Sequence, residues 1–290
     1  MTGYPRLIVN GDDFGISEET NEAIIRAFRE GALTSCSLMV SGKAFEHAVQ
    51  LARDNDRLSV GIHLVTVMGK SVLPHGEIPH LVDSEGNFPS NPTVCGLKYY
   101  FLPVARRELK KELEAQFEKF RSTGLKGTHI DSHLHMHVHP VIFKAAVELG
   151  ERFGIRKMRV PRDDLRLSLQ ADPENRWEKI FGALVFRLLT RAMQKKLRAK
   201  GFCFAHRVYG HLMSGKINHH YVRSVLEALQ SGKTSELYFH PSIHSDGSDL
   251  NSEDQRCFEE YKLLVGRQFL EWMEELEITR ISYGEMDRWD

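Results

Sequence analysis

The sequence predicts an α/β fold, a distorted or incomplete (β/α) barrel of about seven parallel strands in a single domain. Three observations predict it. Short apolar runs alternate with segments of helical periodicity along the whole chain of 290 residues. Ionisable side chains stand at or near the ends of four separate apolar runs, where functional groups of parallel sheets gather. No low-complexity linker and no internal repeat divides the chain.

The first apolar run, 6–10, leads into Gly11-Asp12-Asp13 and reads as a buried strand delivering carboxylates to its C-terminal end. Ser17 is placed as the N-cap of a helix over Glu18–Glu30, with Ala23, Ile24, Ala27 and Phe28 on one stripe and Gly31 as its stop. A strand is expected at 34–40, a helix at 45–54, and a third strand, carrying His63, at 58–65. The stretch 68–92, with Pro74, Pro79, Pro89 and Pro92, reads as a long loop of functional importance. Leu109, Leu113, Phe117 and Phe120 stripe a helix at 106–123. A fourth strand over Gly127–Ser132 enters a histidine cluster, followed by a helix over Pro140–Phe153 and a fifth strand at 157–161. A helix at 220–230, a strand at 236–240, a helix at 259–276 and a strand at 278–283 complete the pattern.

Composition narrows the function. Lys plus Arg (39) equals Asp plus Glu (39), so no global field favours nucleic acid. Cys36, Cys95, Cys203 and Cys257 are widely spaced with no CxxC, which argues against a disulfide framework or a thiolate zinc site and for a reducing compartment. The N-terminus turns polar too early for a signal peptide, and there is no apolar run of about 20 residues to span a bilayer. The expected location is the cytoplasm, with peripheral contact at the inner membrane surface as an option. An oligomer of identical chains is compatible with the sequence.

The chemistry concentrates in two places. His129, His133, His135, His137 and His139 fall in one short segment with Asp131, and Asp12-Asp13 lies far upstream. Each feature has a bland reading: a capped turn for the two acids, a core histidine for His63, a surface tract for the cluster, a strand end for His240. Four strands presenting such groups at one end make the joint coincidence improbable. Nitrogen and oxygen donors with a spare carboxylate are the raw material of metal-assisted hydrolysis. If the strand stays extended, Asp131, His133 and His135 share one face. An open catalytic site uses about three protein ligands, so the choice among the histidines stays open at this point.

Four ordered motifs carry a family resemblance: Leu-Ile-Val-Asn-Gly-Asp-Asp-Phe-Gly at 7–15, Gly-Ile-His-Leu at 61–64, His-Ile-Asp-Ser-His-Leu-His-Met-His at 129–137 and Tyr-Phe-His-Pro at 238–241. They resemble the YdjC-like carbohydrate deacetylases, over nearly the whole chain. Segments 65–74, 77–83, 100–103 and 177–200 are most similar to the hopanoid-biosynthesis-associated branch, whose members are associated with removing the acetyl group from an N-acetylglucosaminyl hopanoid. The resemblance implies a metal-dependent amide hydrolase and a distorted β/α barrel. It implies Asp13, His63 and His133 as metal ligands, Asp12 as general base and His240 as proton donor. Asp131, His135, His137 and Arg159 are supporting or substrate-binding candidates, with Asp131 placed to orient a ligand imidazole. The family is described with Mg²⁺, whereas two imidazoles and a carboxylate suit Zn²⁺ or another transition ion at least as well.

An insertion at about 174–200 reads as a basic amphipathic helix. Trp177, Ile180, Phe181, Leu184, Val185, Leu188, Leu189 and Met193 are apolar at helical spacing, with Arg187, Arg191, Lys195, Lys196, Arg198 and Lys200 beside them. Such a helix lies on an anionic membrane or packs its stripe on a barrel wall. Two alternatives to a lipid-linked amino sugar stand: a soluble chito-oligosaccharide substrate, and a non-catalytic sugar- or metal-binding regulator. A glycosidase would need two carboxylates flanking a sugar bond. The acids here sit with histidines instead.

Overall fold

The computed structural model describes residues 3–243 and 253–286. Its parallel sheet runs in the order β4-β3-β2-β1-β6-β5, from β1 (Arg6–Phe14), β2 (Ser35–Leu38), β3 (Ser59–Leu64), β4 (Gly127–Ser132), β5 (Arg207–Tyr209) and β6 (Thr234–Phe239), while β7 (Thr279–Arg280) pairs with the start of β1. Helices α1 (Glu18–Glu30), α2 (Phe45–Arg53), α3 (Pro92–Phe101), α4 (Pro103–Ser122) and α5 (Pro140–Phe153) connect the first half of the chain. Then come α6 (Leu165–Ala171), α7 (Arg176–Ala199), α8 (His219–Glu227), α9 (Glu253–Val265) and α10 (Arg267–Glu275).

The sheet is central and curled, so β1, β2, β3 and β6 are buried almost throughout, as the near-continuous apolar runs require. Ser17 caps α1 by accepting from the Thr20 N–H at 3.1 Å, and the predicted helix bounds match the observed ones. The expected fifth strand at 157–161 is a correction: only the bridges Ile130↔Met158 and Lys157↔Cys203 form there. They carry hydrogen bonding from β4 toward the segment that becomes β5, so the sheet bends round without a full strand. The helix expected at 259–276 is two helices broken at Gly266.

Three elements had no counterpart in the sequence reading. Asn91 accepts from the Thr93 and Val94 N–H groups with Pro92 at the first helical position, which starts α3 at the end of the supposed loop. Asp164 caps α6 likewise, and β5 is only three residues long. The loop 68–92 is ordered by two glutamates of α4. Glu112 accepts from the Val72 and Leu73 N–H groups at 2.8 and 2.9 Å, and Glu108 accepts from the His80 N–H at 2.9 Å.

Candidate metal centre

β1 does something an ordinary strand does not. Neighbouring residues of an extended strand point to opposite faces, yet Asp12 and Asp13 both face the chamber at the C-terminal end of the sheet. The pairing with β2 slips between Gly11 and Phe14, and Asp13 takes a left-handed backbone with φ of 62°. Asp is among the few residues other than Gly that take that region readily.

Asp13 meets two imidazoles through one oxygen: its Oδ1 lies 3.1 Å from His63 Nε2 and 3.0 Å from His133 Nδ1. The three candidate donor atoms all lie within 4.8 Å of one another. His63 comes from β3, while His133 opens the turn that follows β4. The other nitrogen of His63, Nδ1, donates to Asp131 Oδ1 at 2.8 Å, which leaves Nε2 facing the cluster. That is the arrangement of a metal-binding histidine held by a carboxylate behind it. This buried triad could hold a metal ion. Its one carboxylate and two imidazoles suit a divalent cation of the zinc or magnesium kind.

The charges agree with a cation-ready cluster. Burial pushes the Asp13 carboxyl up, but His133 and His63 hold it well below the usual carboxylate range. Burial opposes charge on His63 as well, yet Asp131, Asp13 and Asp12 raise its pKa to about 10.

A second acidic grouping, Asp12, His63 and Asp131, is also close enough to hold an ion. Arg159 already supplies the cation there. It is fully buried and donates to Asp12 through Nη1 (2.6 Å) and Nη2 (2.7 Å), and its Nη1 lies 3.0 Å from Asp131 Oδ2. Its Nε and Nη2 donate to Glu236 at 2.9 and 2.6 Å, and its guanidinium lies 4.6 Å from the Tyr238 ring centroid. An ion among those three groups would meet a guanidinium. The Asp13 triad is the better cradle.

Asn10, Ser37, Glu236, Tyr238 and Tyr283 were absent from the sequence-derived candidates. Asn10 Nδ2 donates to Asp12 Oδ1 (2.8 Å) and to Ser37 Oγ (2.9 Å), and Ser37 Oγ donates to Asp131 Oδ2 (2.7 Å). Tyr283 donates to Glu236, whose carboxyl burial pushes up to about 7 against the pull of Arg159. A signal existed: Asn10 and Glu236 are polar residues inside apolar strands, where burial demands a partner. Gly61 of the Gly-Ile-His-Leu motif has a physical reason too, since a Cβ there would overlap the His129 imidazole.

The histidine cluster splits rather than sharing a face, because β4 does not stay extended. It ends at Ser132, and Leu134 and His135 take left-handed backbones within a 3₁₀ segment, His133–Val138. His135 swings away to Tyr238, with Nε2 2.9 Å from the Tyr238 hydroxyl. His137 is locked by Ser132 Oγ (2.7 Å) and donates from Nε2 to the Arg159 carbonyl (3.0 Å). His139 lies beside Tyr99 and Tyr100. His240 sits just past β6, its N–H donating to Glu260 at 2.6 Å and its ring 5.6 Å from that of Tyr238.

Comparison with known proteins gives the family and the fold. The model of a family described as YdjC-like protein matches residues 6–275. A carbohydrate deacetylase of Brevibacillus brevis is 43% identical over 150 residues, covering 52% of this chain and 57% of that protein. A carbohydrate deacetylase of Geobacillus stearothermophilus is 42% identical over 157 residues, 53% of this chain and 60% of that protein. The chain thus spans a little over half the length of the curated relatives it matches. A crystal structure from Enterococcus faecalis V583, described as a "putative cellobiose-phosphate cleavage protein", shares the fold with a TM-score of 0.77 at 22% identity, covering 97% of this chain and 98% of that one.

Proposed function

The chain belongs to the YdjC-like family, and from that premise we propose that it is a metal-dependent hydrolase removing the acetyl group from an N-acetylated amino sugar. The observation that carries the reading is the convergence of Asp13 from β1, His63 from β3 and His133 from the turn after β4, with Asp12 beside them in the same chamber. The relatives named carbohydrate deacetylases support the reaction class.

Asp13, His63 and His133 are the proposed ligands. A divalent ion held there supplies polarisation of the amide carbonyl and a lowered pKa for water. The remaining work falls to the chain. Asp12 is the proposed general base, and the Arg159 fork and Asn10 fix the plane of its carboxylate. Asp131 orients His63 and shares the Arg159 charge. His240, at the same end of the sheet, is the proposed donor of the proton that the departing amine needs. His135 stays neutral because burial, His211 and Arg159 all oppose its charge. That suits it to shaping the chamber with Tyr238 rather than to moving protons.

The finer reading is a lipid-linked amino sugar, of the N-acetylglucosaminyl hopanoid kind that the sequence motifs suggest. Exposed apolar side chains on α7 favour it over a soluble chito-oligosaccharide. Incubating the chain with Mg²⁺ or Zn²⁺ and either substrate, then reading loss of one acetyl group by mass spectrometry, tests both levels. Deacetylation of chitobiose alone would redirect the substrate. Binding of both sugars with no loss of acetyl under either ion would leave a sugar-binding regulator instead.

A further inference from the structure

We propose that α7 and the rim beside His133 form a docking surface for an anionic phospholipid bilayer. The inference deepens the lipid-linked reading above and rests on it for its purpose, but the binding itself needs neither metal nor turnover.

Helix α7 is apolar on two opposite sides. At about 100° per residue, Phe186, Leu189, Met193 and Leu197 fall on one side and pack against the core. Trp177, Phe181, Leu184, Val185 and Leu188 fall on the other and face outward. Trp177 is 75% exposed, Phe181 69% and Leu188 60%. A helix whose only apolar face served the barrel wall would not carry this second stripe, and so large an exposed patch on one element marks an interaction site.

The helix that carries the stripe also borders the segment following β4. The inner face of α7 reaches the segment that bears His133: the Phe186 ring sits 6.3 Å from His135 and 4.0 Å from His211. Leu134, directly after His133, is itself 46% exposed. On α3, which also borders this segment through Tyr100 and His139, Leu97 and Phe101 are exposed as well.

Charge decides the occupant. Arg187 and Arg191 run along one flank of the outward stripe, and Lys195 continues the stripe's own line toward the C-terminal end. Arg162 sits where burial and then Arg207, Arg191, Arg187 and Arg198 all disfavour its charge, so like charges crowd this flank. A two-fold contact with a second copy would set that flank against its own image or leave it unmatched. Anionic headgroups match it, while an aromatic and aliphatic stripe bordered by basic residues suits the boundary between headgroups and acyl chains.

The test is co-sedimentation of the full chain with phosphatidylcholine vesicles, with and without phosphatidylglycerol. Binding is expected only with phosphatidylglycerol, weakening as salt rises. The variant F181S/L184S/L188S, altered only at exposed positions, should keep its circular dichroism spectrum and lose about 100-fold in partitioning. The variant R187Q/R191Q should lose the preference for phosphatidylglycerol. No binding to phosphatidylglycerol vesicles overturns the proposal, as does binding that the triple variant keeps. Self-association abolished by the triple variant, without vesicle binding, assigns the face to a second copy and overturns it too. If vesicles fail while chitobiose is deacetylated, only this inference falls; if vesicles bind and no sugar is deacetylated, only the enzymatic reading falls.

Discussion

Arg159 grips Asp12 with both terminal nitrogens, at 2.6 and 2.7 Å, in a setting where neither side chain is appreciably exposed. The fork fixes the plane of the carboxylate proposed as general base. Asp12→Asn would turn an amide N–H toward a guanidinium N–H and remove the base. Turnover should fall by about 10²–10⁴ while bound metal, measured by atomic absorption, stays at wild-type stoichiometry. Near-normal hydrolysis by this variant would end the role given to Asp12.

The same arginine serves three buried carboxylates, those of Asp12, Asp131 and Glu236. Removing one partner of a buried ion group leaves charge without compensation, at roughly 3–5 kcal/mol. Arg159→Met should lower unfolding free energy in urea by about that much. Arg159→Lys should recover part of it, because charge returns but the fork does not. A loss under about 1 kcal/mol for the methionine variant would show that the carboxylates find other partners.

Asp131 touches the proposed ligand set only through His63, at 2.8 Å. Asp131→Asn should therefore weaken divalent-ion affinity by about 10–100-fold without abolishing it. His133→Ala, which removes a proposed ligand, should cost more. Isothermal titration with Zn²⁺ ranks the two variants, and the reverse order would contradict the ligand assignment.

Two fully buried histidines predict acid sensitivity. Burial lowers His129 to about 3 and His137 to about 4, far under the free value. A histidine depressed in the folded state contributes stability above its unfolded pKa of about 6.5 and loses it as pH falls toward the folded value. His137 alone accounts for roughly 3 kcal/mol lost between about pH 6.5 and 4. Asp13 and Asp131, whose pKa values are lowered, change their contribution only below about pH 4. Glu236, raised to about 7, and Asp163, raised to about 6, gain stability over the same window, while His211, lowered to about 4, and the lowered His135 add to the loss. Urea midpoints measured with metal chelated should therefore show a net fall across it. A flat profile from pH 6.5 to 4.5 would show that these rings take up protons without cost.

Much of this was legible in the chain because local rules and global fold agree. The bounds of α1, β4 and α5 follow from caps, periodicity and Pro or Gly at the expected ends. The candidate triad of Asp13, His63 and His133 was reachable only through the family resemblance, since the residues alone left the choice among the histidines open. Three features were not legible. The strand expected at 157–161 has the composition of a strand, but pairing is a long-range property, and only bridges form there. The divergence of His133 and His135 depends on left-handed backbones at Leu134 and His135, which alternation rules do not encode. Arg159 was visible as a candidate but not as the hub, since its partners come from β1, β4 and β6, remote in sequence.

The φ of 62° at Asp13 also limits which acid the position accepts. Glutamate offers the same charge, but its longer side chain suits that twisted conformation poorly, and its carboxylate would overshoot the two imidazoles. Asparagine and glycine suit the kink and forfeit the anion. The residue is thus selected twice over, once by the peptide geometry that lets consecutive acids share a cavity and once by the chemistry of that cavity. A β1 that stayed straight between Gly11 and Phe14 would turn one of the two acids toward the surrounding helices.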